Sequence, residues 1–109
     1  MPGIIESNIS DLSVRDTLVW FLDLSEQYAR TEADAENGAW ILRELATYRR
    51  AASWPADRDV LRALEKLLIH ARSHALGRPK LLARIEPFVA AARAHRARLG
   101  GPSLLHDVR

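Results

Sequence analysis

Residues 53–77 read SWPADRDVLRALEKLLIHARSHALG, and the spacing of their apolar residues decides the fold class. Val60, Leu61, Leu64, Leu67, Leu68, Ala71 and Ala75 follow one another at intervals of 1, 3, 3, 1, 3 and 4 residues. That is the 3.6-residue period of an α-helix, not the alternation of a strand. Ser53 is placed to cap this helix, or Pro55 to open its first turn, where a missing N–H costs nothing. Asp57 and Asp59 then lie near the positive end of the helix dipole. Gly77 suits the left-handed residue after a helix, and Pro79 follows it. Start, stripe and stop agree, so a helix is expected over 55–76, with the rest of the chain packed around it.

The same period recurs on both sides. Ser13-Val14-Arg15-Asp16 is a variant of the capping box and opens a first helix over 13–30. Val14, Leu18, Phe21, Leu22, Ser25, Tyr28 and Ala29 form its inward face. Val19, Trp20 and Leu24 widen that face enough to imply burial on two sides. Thr31-Glu32-Ala33-Asp34 repeats the capping pattern before a second helix over 32–52. No glycine or proline separates the two, so one kinked helix is the alternative. The second helix turns Ala35, Gly38, Ala39, Ile41, Leu42, Leu45, Ala46 and Tyr48 inward, small residues first. A glycine there costs about 1 kcal/mol against alanine, which close helix packing at Gly38 explains. A fourth helix is expected over 79–99, with Leu81, Leu82, Ile85, Phe88, Val89, Ala92 and Leu99 inward and a kink near Pro87. Gly100-Gly101-Pro102 stops it.

These elements predict an all-α fold: a single-domain, four-helix, mostly antiparallel bundle with the third helix central. Residues 1–12 form an irregular lead-in, with Ile4, Ile5 and Ile9 tucked against the bundle. Residues 100–109 form a short flexible tail, whose Leu104/Leu105 pair is suited to a groove on this chain or another.

Composition narrows the class. The chain has 109 residues, 48% hydrophobic and 28% charged, as expected of one globular domain. Every apolar run is broken by a charge well short of the roughly 18 residues a membrane span needs. The N-terminus shows no basic region followed by an apolar run, so no secretory signal is expected. There is no cysteine, hence no disulfide and no thiolate-held metal. A cytoplasmic protein fits these facts. The net charge of +2 hides an asymmetry: residues 1–48 hold 9 acidic and 3 basic side chains, residues 49–109 hold 13 basic and 5 acidic. Either two hairpins attract each other across the bundle, or the second half offers a basic surface to an acidic partner.

No catalytic signature emerges. His70 and His74 are spaced i, i+4, as in helical metal sites, but no Glu lies between them, Arg72 repels a cation, and a third ligand (Glu44, His95 or His106) must come from elsewhere. His74-Ala75-Leu76-Gly77 is the nearest match to the core of histidine phosphotransfer domains. It lacks their lysine and runs into Arg78-Pro79, so that identification is set aside. A helix-turn-helix over 70–86 would put Lys80 and Arg84 on its second helix. Arg72 and Arg78 stand where that motif needs apolar residues. The paired carboxylates Asp57/Asp59 and Asp34/Glu36 lie at helix starts, where the dipole accounts for them. Few aromatics and many alanines argue against a large preformed cavity, though not against a small cleft between helices.

Apolar surface in excess of one bundle's needs points to association instead. Trp40 projects away from Leu42 and Leu45, beside Glu36, Arg43 and Thr47, in the manner of an interface hot spot. The expected function is a non-catalytic regulatory or adaptor module that binds protein, as a homodimer. Its contact residues are Trp20, Leu24, Trp40, Arg43 and Tyr48, with no metal and no cofactor. Two alternatives are a nucleic-acid-binding regulator using Lys80, Arg84, Arg93, Arg96 and Arg98, and a ligand- or metal-binding bundle around His70 and His74.

Overall fold

The computed structural model describes residue 9, residues 11–31 and residues 35–105, the side chains of 35 and 37 excepted. Among these, four α-helices form: α1 (Val14–Arg30), α2 (Ala35–Ala51), α3 (Asp57–His74) and α4 (Pro79–Leu99). They pack as an all-α, mostly antiparallel bundle. No helix among the described residues is long and apolar enough to cross a membrane. The expected starts at Glu32 and Asp34, and Ile4, Ile5 and His106, lie outside the described residues.

Local chemistry sets most boundaries. The Ser13 hydroxyl accepts from the Asp16 N–H at 3.1 Å, so the first cap is where the sequence puts it. Thr31 closes α1: its N–H and hydroxyl both donate to the Tyr28 carbonyl. Two separate helices follow, not one kinked rod. Ser53 likewise finishes α2, donating from N–H and hydroxyl to the Arg50 carbonyl. It is therefore not the cap of α3. That cap is Ala56, without a side-chain bond, and Asp57 and Asp59 in the first turn compensate. Gly77 takes φ +79°, as a chain turning sharply out of a helix needs. Pro79 opens α4, which runs through Pro87 without ending.

α1 and α3 each pack against all three other helices, while α2 and α4 make little contact with one another. The third helix is central, as expected, and shares that position with the first. Leu18, Phe21 and Leu22 of α1 meet Val60, Leu61, Leu64 and Leu68 of α3, all fully or almost fully buried. α4 adds Ile85, Phe88, Val89 and Ala92, and the Phe21 and Phe88 rings lie 4.9 Å apart. α2 contributes least: Leu45 and Ala51 are buried, Ile41 and Leu42 only half, and Ala39 and Ala46 are exposed. The small residues of α2 are thus not all at an interface, although Gly38 is buried. Ile9 and Leu105 both enter the core, so the chain on either side of the bundle helps to close it.

Among the described residues, ion pairs join helices within each hairpin and also cross the bundle. Arg49 of α2 holds Asp23 and Glu26 of α1 at 3.1 and 2.9 Å. Arg72 meets Glu86, and Arg96 meets the fully buried Glu65, both between α3 and α4. Across the two hairpins, Arg15 stands 3.7 Å from Asp57 and donates to the Ala52 and Trp54 carbonyls.

Candidate functional site

Because α1 and α3 touch while α2 and α4 stand apart, one end of the bundle is left open as a groove. Its floor is Phe21, Leu24 and Tyr28 of α1, with Leu67 and Ala71 of α3. Trp40, Ile41, Glu44, Leu45 and Tyr48 of α2 make one wall, and Leu81, Arg84 and Ile85 of α4 the other. The order of the helices brings the late turns of α1 and α3 beside the middle of α2 and the early turns of α4. The cavity measures about 210 Å³, less than the roughly 300–1,000 Å³ of a typical small-molecule site. Its lining is largely apolar, and Trp40 remains 54% exposed at the rim.

Polar groups converge at its edges. Tyr28 and His74 meet ring edge to face, with centroids 5.7 Å apart and Tyr28 Oη 3.3 Å from His74 Nε2. The Arg78 guanidinium donates to the Tyr28 hydroxyl. Arginine has only donors to offer, so the phenolic oxygen is the acceptor in that bond. His70 lies exposed at the mouth. On the α2 wall, burial raises the Tyr48 phenol above its usual pKa, and the Glu44 carboxylate adds to that.

Of the residues expected to bind, the structure brings Leu24, Trp40 and Tyr48 into this one groove. Arg43 is exposed but outside it, and Trp20, 36% exposed, also lies outside. Trp40 does stand off the buried side of α2, yet the groove reaches round to it through Glu44, Ile41 and Tyr48. A second hollow runs along Thr47, Tyr48, Trp54, Asp59, Arg62 and Lys66. Trp54, 44% exposed, is an aromatic the sequence reading passed over. An indole before a proline between two helical stripes was the available signal.

The basic residues do not form one free surface. Arg96 binds Glu65 with Nε and Nη2 and donates from Nη1 to the Gly100 carbonyl at 2.9 Å. Arg98 donates to His95 Nδ1. Arg93 and Lys80 are exposed, and Arg84 is drawn into the groove wall. His95 cannot join His70 and His74 on a metal. It is buried against Thr17 near the start of α1, with Nε2 3.1 Å from the hydroxyl, whereas His74 meets Tyr28 near its end. Among the described residues no three His, Asp or Glu side chains cluster as metal ligands. Comparison with protein-family models, with curated proteins and with solved structures finds no match for this chain.

Proposed function

We propose that this chain is a non-catalytic regulatory or adaptor module that works by binding protein, with the four-helix groove as its contact surface. The groove itself supports this most directly: an open apolar channel with a half-exposed tryptophan at its rim and Leu24 and Tyr48 beside it. Apolar surface rimmed by polar groups is what a protein contact uses. Its volume suits one or two side chains of a docked segment better than an enclosed small molecule. Self-association as a homodimer belongs to the same proposal, with Trp20 as its candidate surface outside the groove.

A second reading is a small ligand held beside His70 and His74, favoured by the fact that both line the groove. The nucleic-acid alternative is the weaker, since Arg96 is held by the buried Glu65 and Arg98 donates to His95, while Lys80 and Arg84 are exposed. A photo-crosslinking amino acid at position 40 tests the main proposal in host extract. A discrete protein adduct is expected there and not from the same group at exposed Ala94 on α4. Equal labelling from both sites, or none from position 40, overturns it.

A further inference from the structure

We infer that the groove's partner is an amphipathic helix whose apolar stripe is bordered by acidic residues on the side facing α4; this rests on the groove being the contact surface. From Phe21 to Tyr28 the floor runs about 10 Å at 1.5 Å per residue, the length of two helical turns. The floor is apolar, and the groove offers no sheet edge to pair with. An extended segment laid there would bury backbone N–H and C=O groups without partners, at a penalty for each. A helix satisfies its own backbone and presents only side chains. It would lie along the groove between α2 and α4 as a fifth helix, setting one or two side chains at i and i+3 or i+4 into it.

Charge then chooses the helix. On the α4 side, Arg84 lines the groove and Lys80 lies one turn before it on the same face. Both are exposed, and neither is in an ion pair among the described residues. α3 adds His70 at the mouth. On α1 the nearby carboxylates of Asp23 and Glu26 are already held by Arg49. On α2 the groove carries one acid, Glu44. The channel therefore has a basic bank on α4 and an acidic point on α2. A helix with Asp or Glu along one border of its apolar stripe meets the first, and a Lys or Arg across the stripe meets the second. That polarity fixes which way round the helix lies.

A display library of amphipathic helical peptides, randomised at the borders of a Leu/Phe/Trp stripe and selected against the whole chain, tests this. Enrichment of Asp and Glu at one border is expected, with binding lost for Trp40→Ala or Leu24→Gln. Arg84→Glu should weaken the selected peptides about two- to fivefold, as exposed charge pairs do, mostly through the association rate. Peptides sensitive to Trp40→Ala but with neutral or basic borders, or indifferent to Arg84→Glu, overturn the inference and leave the groove proposal standing. An absence of binders, or binders indifferent to Trp40→Ala and Leu24→Gln, removes both. Concentration-dependent shifts of groove resonances without peptide make a second copy the occupant, which also overturns it.

Discussion

Glu65 Oε1 lies 2.8 Å from Arg96 Nη2, and Glu65 Oε2 lies 3.2 Å from Arg96 Nε, so a carboxylate with no exposed surface is held by two arms of one guanidinium. Ser103 Oγ donates to the same carboxylate at 3.1 Å and the Leu104 N–H at 3.4 Å. One buried charge therefore ties α3 to α4 and fastens the segment that carries Leu105 into the core. Removing either partner strands the other in an apolar interior. Arg96→Ala or Glu65→Ala should each cost about 3–5 kcal/mol in urea unfolding. Glu65→Leu with Arg96→Met should recover most of that. The recovery is incomplete because Ser103 and Leu104 still lose their acceptor. A single change that costs less than about 1 kcal/mol would show that the pair is not buried as described.

His95 makes stability depend on pH in a defined direction. Burial first, and the Arg98 charge second, hold its pKa below the ordinary 6.5, against a smaller pull from Asp57. Arg98 donates to Nδ1, which must therefore be unprotonated, leaving Nε2–H for the Thr17 hydroxyl. Thr17 in turn donates to the Ser13 carbonyl at 2.7 Å. Well above pH 6.5 both folded and unfolded chains hold this imidazole neutral and the contribution is flat. As pH falls through 6.5 the unfolded chain takes up a proton that the folded chain resists, so stability declines until the folded pKa is reached. Urea unfolding at pH 8 and pH 5.5 should show that decline in the native chain and less of it in His95→Gln. Equal slopes in the two proteins would count against a buried neutral His95.

The architecture was legible where a stripe repeats at helical period, and the site was not. Val60, Leu61, Leu64, Leu67 and Leu68 announce α3 because burial alone places them. Glu65 is one residue from Leu64 and looks like a solvated glutamate. Only the arrival of Arg96, 31 residues later, makes its burial tolerable. Thr17 and His95 were missed likewise, each polar residue being buried by a partner on another helix. The groove has no local code either. The sequence puts Trp40 and Tyr48 on one surface with Arg43, and Leu24 on another with Trp20. That Leu24, Trp40 and Tyr48 share one channel follows from α2 and α4 standing apart, a tertiary fact no periodicity carries. Ser53 erred in the opposite sense: a hydroxyl able to cap the following helix was used to close the preceding one.

Tyr48 reports on the α2 wall of the groove. Its phenol ionises above the ordinary value of 10.0, chiefly through burial and secondarily through Glu44. A raised folded pKa leaves the protonated form favoured, so as pH rises past 10 the unfolded chain ionises first and this contribution to stability is lost. Absorbance at the tyrosinate band should show Tyr48 titrating late. Glu44→Gln should bring it part of the way down, since the larger cause remains. A Tyr48 that titrates at its ordinary pH in the folded chain would mean that the wall is open to water.

Phe21 and Trp40 both face the groove, yet they should behave oppositely on truncation. Phe21 is almost fully buried and packs on Phe88. Phe21→Ala removes that ring and leaves a hole between α1 and α4, a change that costs about 3–5 kcal/mol. Trp40 is more than half exposed on the helix that contributes least to the core. Trp40→Ala should shift the unfolding free energy by no more than about 1 kcal/mol, as surface changes do. The contrast matters because a rim residue that the fold does not need can be lost without unfolding, so its effect on binding can be read cleanly. A Trp40→Ala protein as destabilised as Phe21→Ala would mark the indole as part of the core and leave the groove without its anchor.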